Sequence, residues 1–179
     1  MHVTGTTPYP WPFDGDLDGT RTALLVVLPA GDCVLAAPVE PLASAVRAAG
    51  GRVIVVRTTA PAPDSDAGPH PHGLPADLEM QAGGIDGFYA SDLDLVLRTG
   101  RTRRLVVVGV GLETCVHSTL RDANDRGYEC LLVVDACVPI DPSLVAASIS
   151  SIEMSGGIFG AVGYSTDVVE ALAPQPALR

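Results

Sequence analysis

Cys115 is the residue of this chain best placed for chemistry, because it lies where a predicted strand turns into a predicted helix. It follows the β-forming run at 105–108 and a turn that contains Gly109 and Gly111. A cysteine near a helix N-terminus gains backbone N–H groups and the helix dipole, which favour the thiolate and depress the thiol pKa. The same amides can stabilise a developing oxyanion. The sequence therefore leaves two interpretations open, a cysteine nucleophile and an inert buried cysteine.

Three polar residues are candidates for the base that a cysteine nucleophile needs. Asp32 follows the first predicted strand, where it is equally suited to capping a turn. Glu113 lies two residues before Cys115, at a position typical of acids that begin helices. His117 would have to fold back over the first helical turn to reach the sulfur. The other thiols, Cys33, Cys130 and Cys137, are interpreted as structural.

Alternating strand and helix patterns must position these residues. Apolar runs predict strands at 22–28, 52–57, 105–108, 130–134 and 158–162. Helical spacing and stop signals predict helices over 40–49, 91–98, 115–126, 141–155 and 165–172. This alternation predicts an α/β fold with three layers (α/β/α) around a mostly parallel sheet of five or six strands. Because ligands bind at the carboxyl ends of such strands, the segments after Leu28, Arg57 and Gly109 are the candidate site regions.

The length of 179 residues predicts one domain over 1–179. Residues 1–20 read as an extended arm rich in proline and aromatic residues, anchored on the domain or on a neighbouring subunit by Trp11 and Phe13. Residues 58–87 lose all periodicity and are predicted to be an irregular loop, with at most a brief ordered piece at 78–81.

Composition excludes several classes of function. The formal net charge of −10 argues against nucleic-acid and anionic-membrane partners, which need clustered cations. No apolar run is long enough to span a bilayer, and the first residues do not resemble a secretory signal. Four cysteines without a CxxC pair suggest reduced thiols and a cytoplasmic protein. All 11 basic residues are arginines, so the chain has no lysine.

His70 and His72, with Asp64 or Asp66 nearby, are the only arrangement that suggests a metal. They lie in a proline-rich stretch with no third ligand at a defined spacing, so we predict no metal and no other cofactor.

The segment GVGLETCVHSTLRDANDRGYECLLVVDAC resembles the isochorismatase-like cysteine hydrolases, in particular their biuret- and ureido-amide-cleaving branch. The segments PYPWPFDGDLDGTRTALLVV, GFYASDLDLVLRTG and SGGIFGAV resemble the same branch. The resemblance implies a three-layer α/β/α fold, a dimer or tetramer, and a cis peptide at Val110–Gly111. It also implies substrate and oxyanion contacts at Val110, Gly111, Thr114 and Asp32.

In this family an Asp at the end of the first strand takes the proton of the Cys, a Lys supports the charges, and the thiolate attacks an amide or ureido carbonyl. Aligned on VVLPAGD, the Asp position holds Leu28, and Asp32 matches a second Asp that is usually structural. Counting back six residues from Phe88 places the Lys position at Ala82. Only Cys115 of the implied triad is retained.

Two hypotheses follow. The first is a pseudoenzyme that acts as a non-catalytic subunit or binds a small amide-like ligand. The second is a diverged amidohydrolase that cleaves an amide or ureido C–N bond through Cys115, with Asp32, Glu113 or His117 in place of the lost base. Either is expected to form a homo-oligomer, or a hetero-oligomer with an active paralogue.

Overall fold

The apolar runs form the strands of a single sheet because their side chains can be buried on both faces. The computed structural model describes residues 1–62 and 74–173. Within them the strands are β1 (Thr22–Leu28), β2 (Arg52–Arg57), β3 (Leu78–Gln81), β4 (Arg104–Val110), β5 (Glu129–Val138) and β6 (Ala161–Gly163). The α-helices are α1 (Val39–Ala48), α2 (Leu93–Thr99), α3 (His117–Asp125), α4 (Val145–Glu153) and α5 (Ser165–Leu172). A π-helical turn, Leu112–Val116, leads directly into α3.

The strand order is β3-β2-β1-β4-β5-β6, and every neighbouring pair is parallel. The chain leaves β1 toward β2 but leaves β4 toward β5, in the opposite direction. Right-handed crossovers therefore place α1 on one face of the sheet and α2, α3 and α4 on the other. Helix α5 contacts α1, and all residues of β1 and β4 are buried. The predicted α/β/α fold is confirmed, with six strands.

Gly109 sets how closely the two central strands approach at their carboxyl ends. Its φ is +147°, and a Cβ atom there would lie 1.9 Å from the Val27 carbonyl oxygen. The β4–β5 register also shifts between Val107 and Gly109. Only glycine fits this position without moving β4 away from β1.

The N-terminal arm differs from its prediction. It turns back on itself through a bridge between Val3 and Trp11, and Thr7 then pairs antiparallel with Val162 of β6. Trp11 is fully buried, as an anchor would be, but Phe13 is 78% exposed. Phe13 is therefore not an anchor within this chain. The arm occupies the outer edge of β6, where backbone groups would otherwise be unpaired.

Several predicted boundaries were wrong. By contrast, the brief ordered piece allowed at 78–81 within the irregular segment is present as β3, an edge strand beside β2. The predicted helix from 141 begins as a 3-10 turn at Pro142–Leu144. The strand predicted at 158–162 is shorter and begins later, as β6, and Ile158 before it is exposed. At the start of α2 the Ser91 hydroxyl donates to the Gly87 carbonyl oxygen, and the Asp94 carboxylate accepts hydrogen bonds from Arg98 and the Tyr128 hydroxyl. His70, His72, Asp64 and Asp66 lie outside the described residues.

Candidate active site

The carboxyl ends of β1 and β4 form the topological switch point of the sheet, because the chain leaves these adjacent strands in opposite directions. A crevice at such a point is where open parallel sheets bind ligands. Leu28 ends β1, and Gly111 follows the end of β4. Cys115 lies in the π-helical turn that comes next.

Gly111 makes the turn that brings the cysteine back over the strand. It has φ +85° and ψ +55°, the left-handed conformation that favours glycine. A Cβ atom there would lie 2.6 Å from Thr114 Oγ1 and 3.0 Å from Cys115 Sγ. The cis peptide bonds among the described residues precede Pro8 and Pro12. The expected cis peptide at Val110–Gly111 is therefore wrong, and the left-handed Gly111 reverses the chain instead.

The Cys115 sulfur is fully buried. Its thiol donates to the Val110 carbonyl oxygen, with sulfur and oxygen 3.0 Å apart, and the Gly111 carbonyl oxygen is 3.9 Å away. Burial raises the pKa of the Cys115 thiol, whereas the Thr58 and Thr114 hydroxyls and the amides of Val116 and Cys115 act to lower that pKa. The net direction is upward, so the environment favours the neutral thiol.

Thr58 is a site residue that the sequence reading missed. It is the first residue after β2, it is 3% exposed, and its amide and hydroxyl both donate to the Leu28 carbonyl oxygen, at 2.8 and 3.1 Å. The signal was present in the sequence as the first polar side chain after an apolar strand. Its nearness to Cys115 depends on the order β2-β1-β4, which the sequence alone does not give.

The three candidate bases are directed elsewhere. The Glu113 carboxylate accepts hydrogen bonds from the amides of Ile140 and Asp141, and so fixes the loop after β5. His117 Nε2 lies 3.0 Å from Ser151 Oγ of α4, and His117 Nδ1 accepts from Arg121 Nε at 3.2 Å. Asp32 is exposed in the loop after β1. Among the described residues, no carboxylate or imidazole hydrogen bonds to the Cys115 sulfur.

Leu28 and Ala82 lie, like Cys115, at the carboxyl ends of the strands, and both are buried. Leu28 belongs to β1, directly beside β4. Ala82 follows β3, and its amide donates to the Arg57 carbonyl oxygen at 2.8 Å. Strand β2 separates it from β1. The positions that the resemblance assigns to an acid and a cation thus carry apolar side chains within the core.

The described residues contain no group of three His, Cys, Asp or Glu side chains arranged to hold a metal. No helix in the described part of the chain is long and apolar enough to cross a membrane.

Comparisons with known proteins agree with this architecture. The family model described as "Isochorismatase domain" matches residues 27–163. The ureidoacrylate amidohydrolase RutB of Variovorax paradoxus is 34% identical over 104 residues, which are 58% of this chain and 40% of that protein. The matched stretch therefore spans about two fifths of that relative.

Solved structures of similar fold include a cysteine hydrolase from Pseudomonas syringae pv. phaseolicola, with a TM-score of 0.71 and 23% identity over 87% of this chain and 94% of the other. An isochorismatase family protein from Burkholderia thailandensis has a TM-score of 0.69 and 23% identity over 87% and 97% of the two chains. At these identities the likeness is one of fold.

Proposed function

The chain belongs to the isochorismatase family of hydrolases, and from that premise we propose that it is a member whose cysteine site does not turn over amide substrates. It acts instead as a non-catalytic subunit, or as a binder of a small amide-like ligand at the β1–β4 crevice.

The hydrogen bond from the Cys115 thiol to the Val110 carbonyl oxygen carries this proposal. A cysteine attacks as its thiolate, so its proton must pass to a base. A peptide carbonyl oxygen accepts a hydrogen bond but is far too weak a base to take the proton. Burial of the sulfur adds to the difficulty, because it raises the thiol pKa.

The residue types at the aligned positions support the same conclusion. Leu28 has no group that can accept a proton, and Ala82 has no charge. A positioned base contributes roughly 10²- to 10⁴-fold to the reaction rate. Catalytic residues that act as a unit have non-additive effects, so the loss of one can cost about as much as the loss of all. The family mechanism therefore lacks two of its three participants in this chain.

The second candidate function is a cysteine amidohydrolase with an altered set of catalytic groups. Its support is that the Thr58 and Thr114 hydroxyls act against the rise of the thiol pKa, and that the chain is similar to a ureidoacrylate amidohydrolase. In such a reaction the Cys115 thiolate would attack a ureido or amide carbonyl, the amine would leave with a proton, and water would hydrolyse the acyl–cysteine bond.

Substrate turnover separates the two candidates. Purified protein is incubated with ureidoacrylate, biuret and a simple aliphatic amide, and released ammonia or amine is measured beside a Cys115→Ala variant. We expect no release above that of Cys115→Ala. Turnover that the wild-type protein shows and Cys115→Ala loses would overturn the first proposal and establish the second.

We further propose that the chain self-associates through the surface around α4. Ile152 is the only fully buried residue of this apolar helix, while Leu144, Met154 and Ile158 at its ends are 45%, 77% and 70% exposed. Large apolar side chains that stay exposed within one chain are candidates for contacts with another subunit.

A further inference from the structure

A cavity of about 680 Å³ opens at the amino-terminal ends of β1 and β4, at the opposite end of these strands from Cys115. Its volume lies in the range of small-molecule sites. Arginines dominate its lining, namely Arg21, Arg98, Arg101, Arg103, Arg104 and Arg126. These are six of the 11 cationic side chains of a protein with a net charge of −10. The cavity therefore concentrates positive charge where the chain as a whole is negative.

The parallel sheet explains how these residues come together. Arg21 precedes β1, Arg104 begins β4, and Arg103 lies just before it. The Arg103 amide donates to the Arg21 carbonyl oxygen at 2.9 Å, which holds the two strand starts side by side. The other arginines come from the ends of α2 and α3 and from the connection between α2 and β4.

Three of the six arginines have structural partners that explain them. Arg98 at the end of α2 pairs with Asp94, and Arg126 at the end of α3 pairs with Asp122, each at 2.9 Å. Both also complement the negative ends of their helices. Arg21 lies 3.9 Å from Asp18. These ion pairs within the chain explain the presence of the three arginines without a ligand.

Arg101 and Arg103 have no such explanation. Both are exposed, and within the described residues neither side chain takes part in an ion pair. Arg101 also has φ +57°, so its backbone adopts a left-handed conformation that is uncommon for residues other than glycine.

Arg104 provides the second, independent observation. Its side chain is 4% exposed, and within the described residues its Nε and Nη1 atoms are buried without a hydrogen-bond partner. Glu129 Oε2 is 3.7 Å from Nε, beyond hydrogen-bond distance, while Nη2 donates to both Asp14 carboxylate oxygens at 2.7 and 2.8 Å. Buried guanidinium N–H groups are costly to leave unsatisfied. Arg104 therefore holds its positive charge at the base of the cavity, beside the Asp14 and Glu129 carboxylates that also line it.

We propose that this cavity binds a small phosphate-bearing anion through Arg101, Arg103 and Arg104. The planar guanidinium fork binds two phosphate oxygens at once, and a phosphate carries more charge and one more acceptor oxygen than a carboxylate, so it can contact more than one arginine. The Asp14 carboxylate occupies Nη2 of Arg104 and is itself 60% exposed, so a phosphate would compete with a carboxylate that can move into solvent. The cavity is large enough for a phosphate group together with an organic part. The site is separate from Cys115 and does not depend on the function proposed for it.

Isothermal titration calorimetry with pyrophosphate and with AMP tests the proposal, at a constant ionic strength of about 0.15 M so that nonspecific attraction is screened. We expect saturable binding of at least one probe. The double variant Arg101→Gln/Arg103→Gln changes only exposed side chains and is expected to weaken binding at least about tenfold. Tighter binding of AMP than of pyrophosphate would identify a phosphomonoester ligand, and the reverse order a linked phosphate chain.

The matched control is Arg47→Gln, on α1, which removes one positive charge whose ion pair with Asp77 lies outside this cavity. It is expected to bind the probes as the wild type does. The proposal is overturned if neither probe binds saturably, if Arg47→Gln weakens binding as much as the double variant does, or if succinate binds as tightly as the phosphates.

Discussion

At the scale of single residues, the state of Cys115 is decided by competition between burial and hydrogen bonding. Burial is the largest influence and raises the thiol pKa, while hydroxyls and amides around the sulfur act in the opposite direction. Because burial prevails, the sulfur keeps its proton near neutral pH, and the thiol donates a hydrogen bond to the Val110 carbonyl oxygen. A thiol in this state is a poor nucleophile.

Alkylation measures that state directly. We expect iodoacetamide to label Cys115 of the native protein more slowly than N-acetylcysteine at pH 7, since the sulfur is both buried and protonated. Peptide mass spectrometry resolves each cysteine, and the partly exposed Cys33 is the internal comparison, expected to react first. Labelling of Cys115 at or above the rate of N-acetylcysteine would contradict this assignment.

At the scale of elements, α3 and α4 are joined by a hydrogen-bonded chain. Arg121 donates to His117 Nδ1, so the imidazole is neutral and its Nε2 carries the proton facing Ser151. The Ser151 hydroxyl in turn donates to the Ser148 carbonyl oxygen at 2.9 Å. Burial and the neighbouring Arg121 charge lower the pKa of His117.

This contact predicts a pH dependence of stability. A histidine with a lowered pKa in the folded state binds fewer protons than in the unfolded chain. Its contribution is therefore complete above the unfolded pKa of about 6.5 and is lost as the pH falls through the folded value. Urea denaturation at a series of pH values gives the free energy of unfolding as a function of pH. The His117→Gln variant should reduce the slope of this dependence below pH 6.5, and His2→Gln, at an exposed position, should leave the slope unchanged. Equal slopes in all three proteins would contradict it.

Asp86, in the segment before α2, titrates with the opposite sign. Burial, together with the nearby Asp122 carboxylate, raises the pKa of Asp86 to about 6. A carboxyl group with a raised pKa favours the folded state below the unfolded value of about 3.9, and this advantage is lost as the pH rises through about 6.

Asp86→Asn should therefore increase the free energy of unfolding at pH 7.5 by about 1 kcal/mol and leave it unchanged at pH 4. This figure is smaller than the full pKa shift would give, because Asp86 is partly exposed and solvent screens its charge. Asparagine keeps the oxygen that accepts from the Phe88 amide, so the turn is preserved. Denaturation midpoints at the two pH values provide the measurement, with Asp92→Asn as the control. Destabilisation at pH 7.5 would show that the charged Asp86 is favourable.

The elements also show what the sequence could and could not reveal. Thr22–Leu28 is predicted to the residue because an uninterrupted apolar run fits only a fully buried strand. For β3 the sequence indicates no more than a brief ordered piece at 78–81, because an edge strand of four largely exposed residues carries no hydrophobic pattern. The position of Cys115 between a strand and a helix is enough to indicate it as a site residue. Thr58 comes close to Cys115 only because of the strand order β2-β1-β4, which the sequence does not reveal. The engagement of Glu113 and His117 with other loops and helices depends on tertiary packing.

At the scale of the whole molecule, Met154 and Ile158 beside α4 remain 77% and 70% exposed. A second copy of the chain is the partner that we propose for the surface around α4. The double variant Met154→Glu/Ile158→Glu places charges on side chains that are mostly exposed within one chain, so the monomer should fold normally. We expect sedimentation velocity at micromolar concentration to show a dimer or larger species for the wild type and a monomer for the variant.

The matched control is Leu95→Glu, which places a charge on a 66% exposed side chain of α2. It should not alter the sedimentation coefficient. A wild-type protein that sediments as a monomer would refute the proposed interface.

The pairing of Thr7 with Val162 has a practical consequence for anyone who handles this protein. The first residues complete the sheet on its β6 side, while the other border, β3, is only four residues long and bears Glu79. Removing residues 1–8, or forcing the arm aside with a bulky N-terminal fusion, would leave β6 with unsatisfied backbone groups open to strands of other molecules. Removal of these residues should therefore lead to aggregation, because it exposes the backbone of β6.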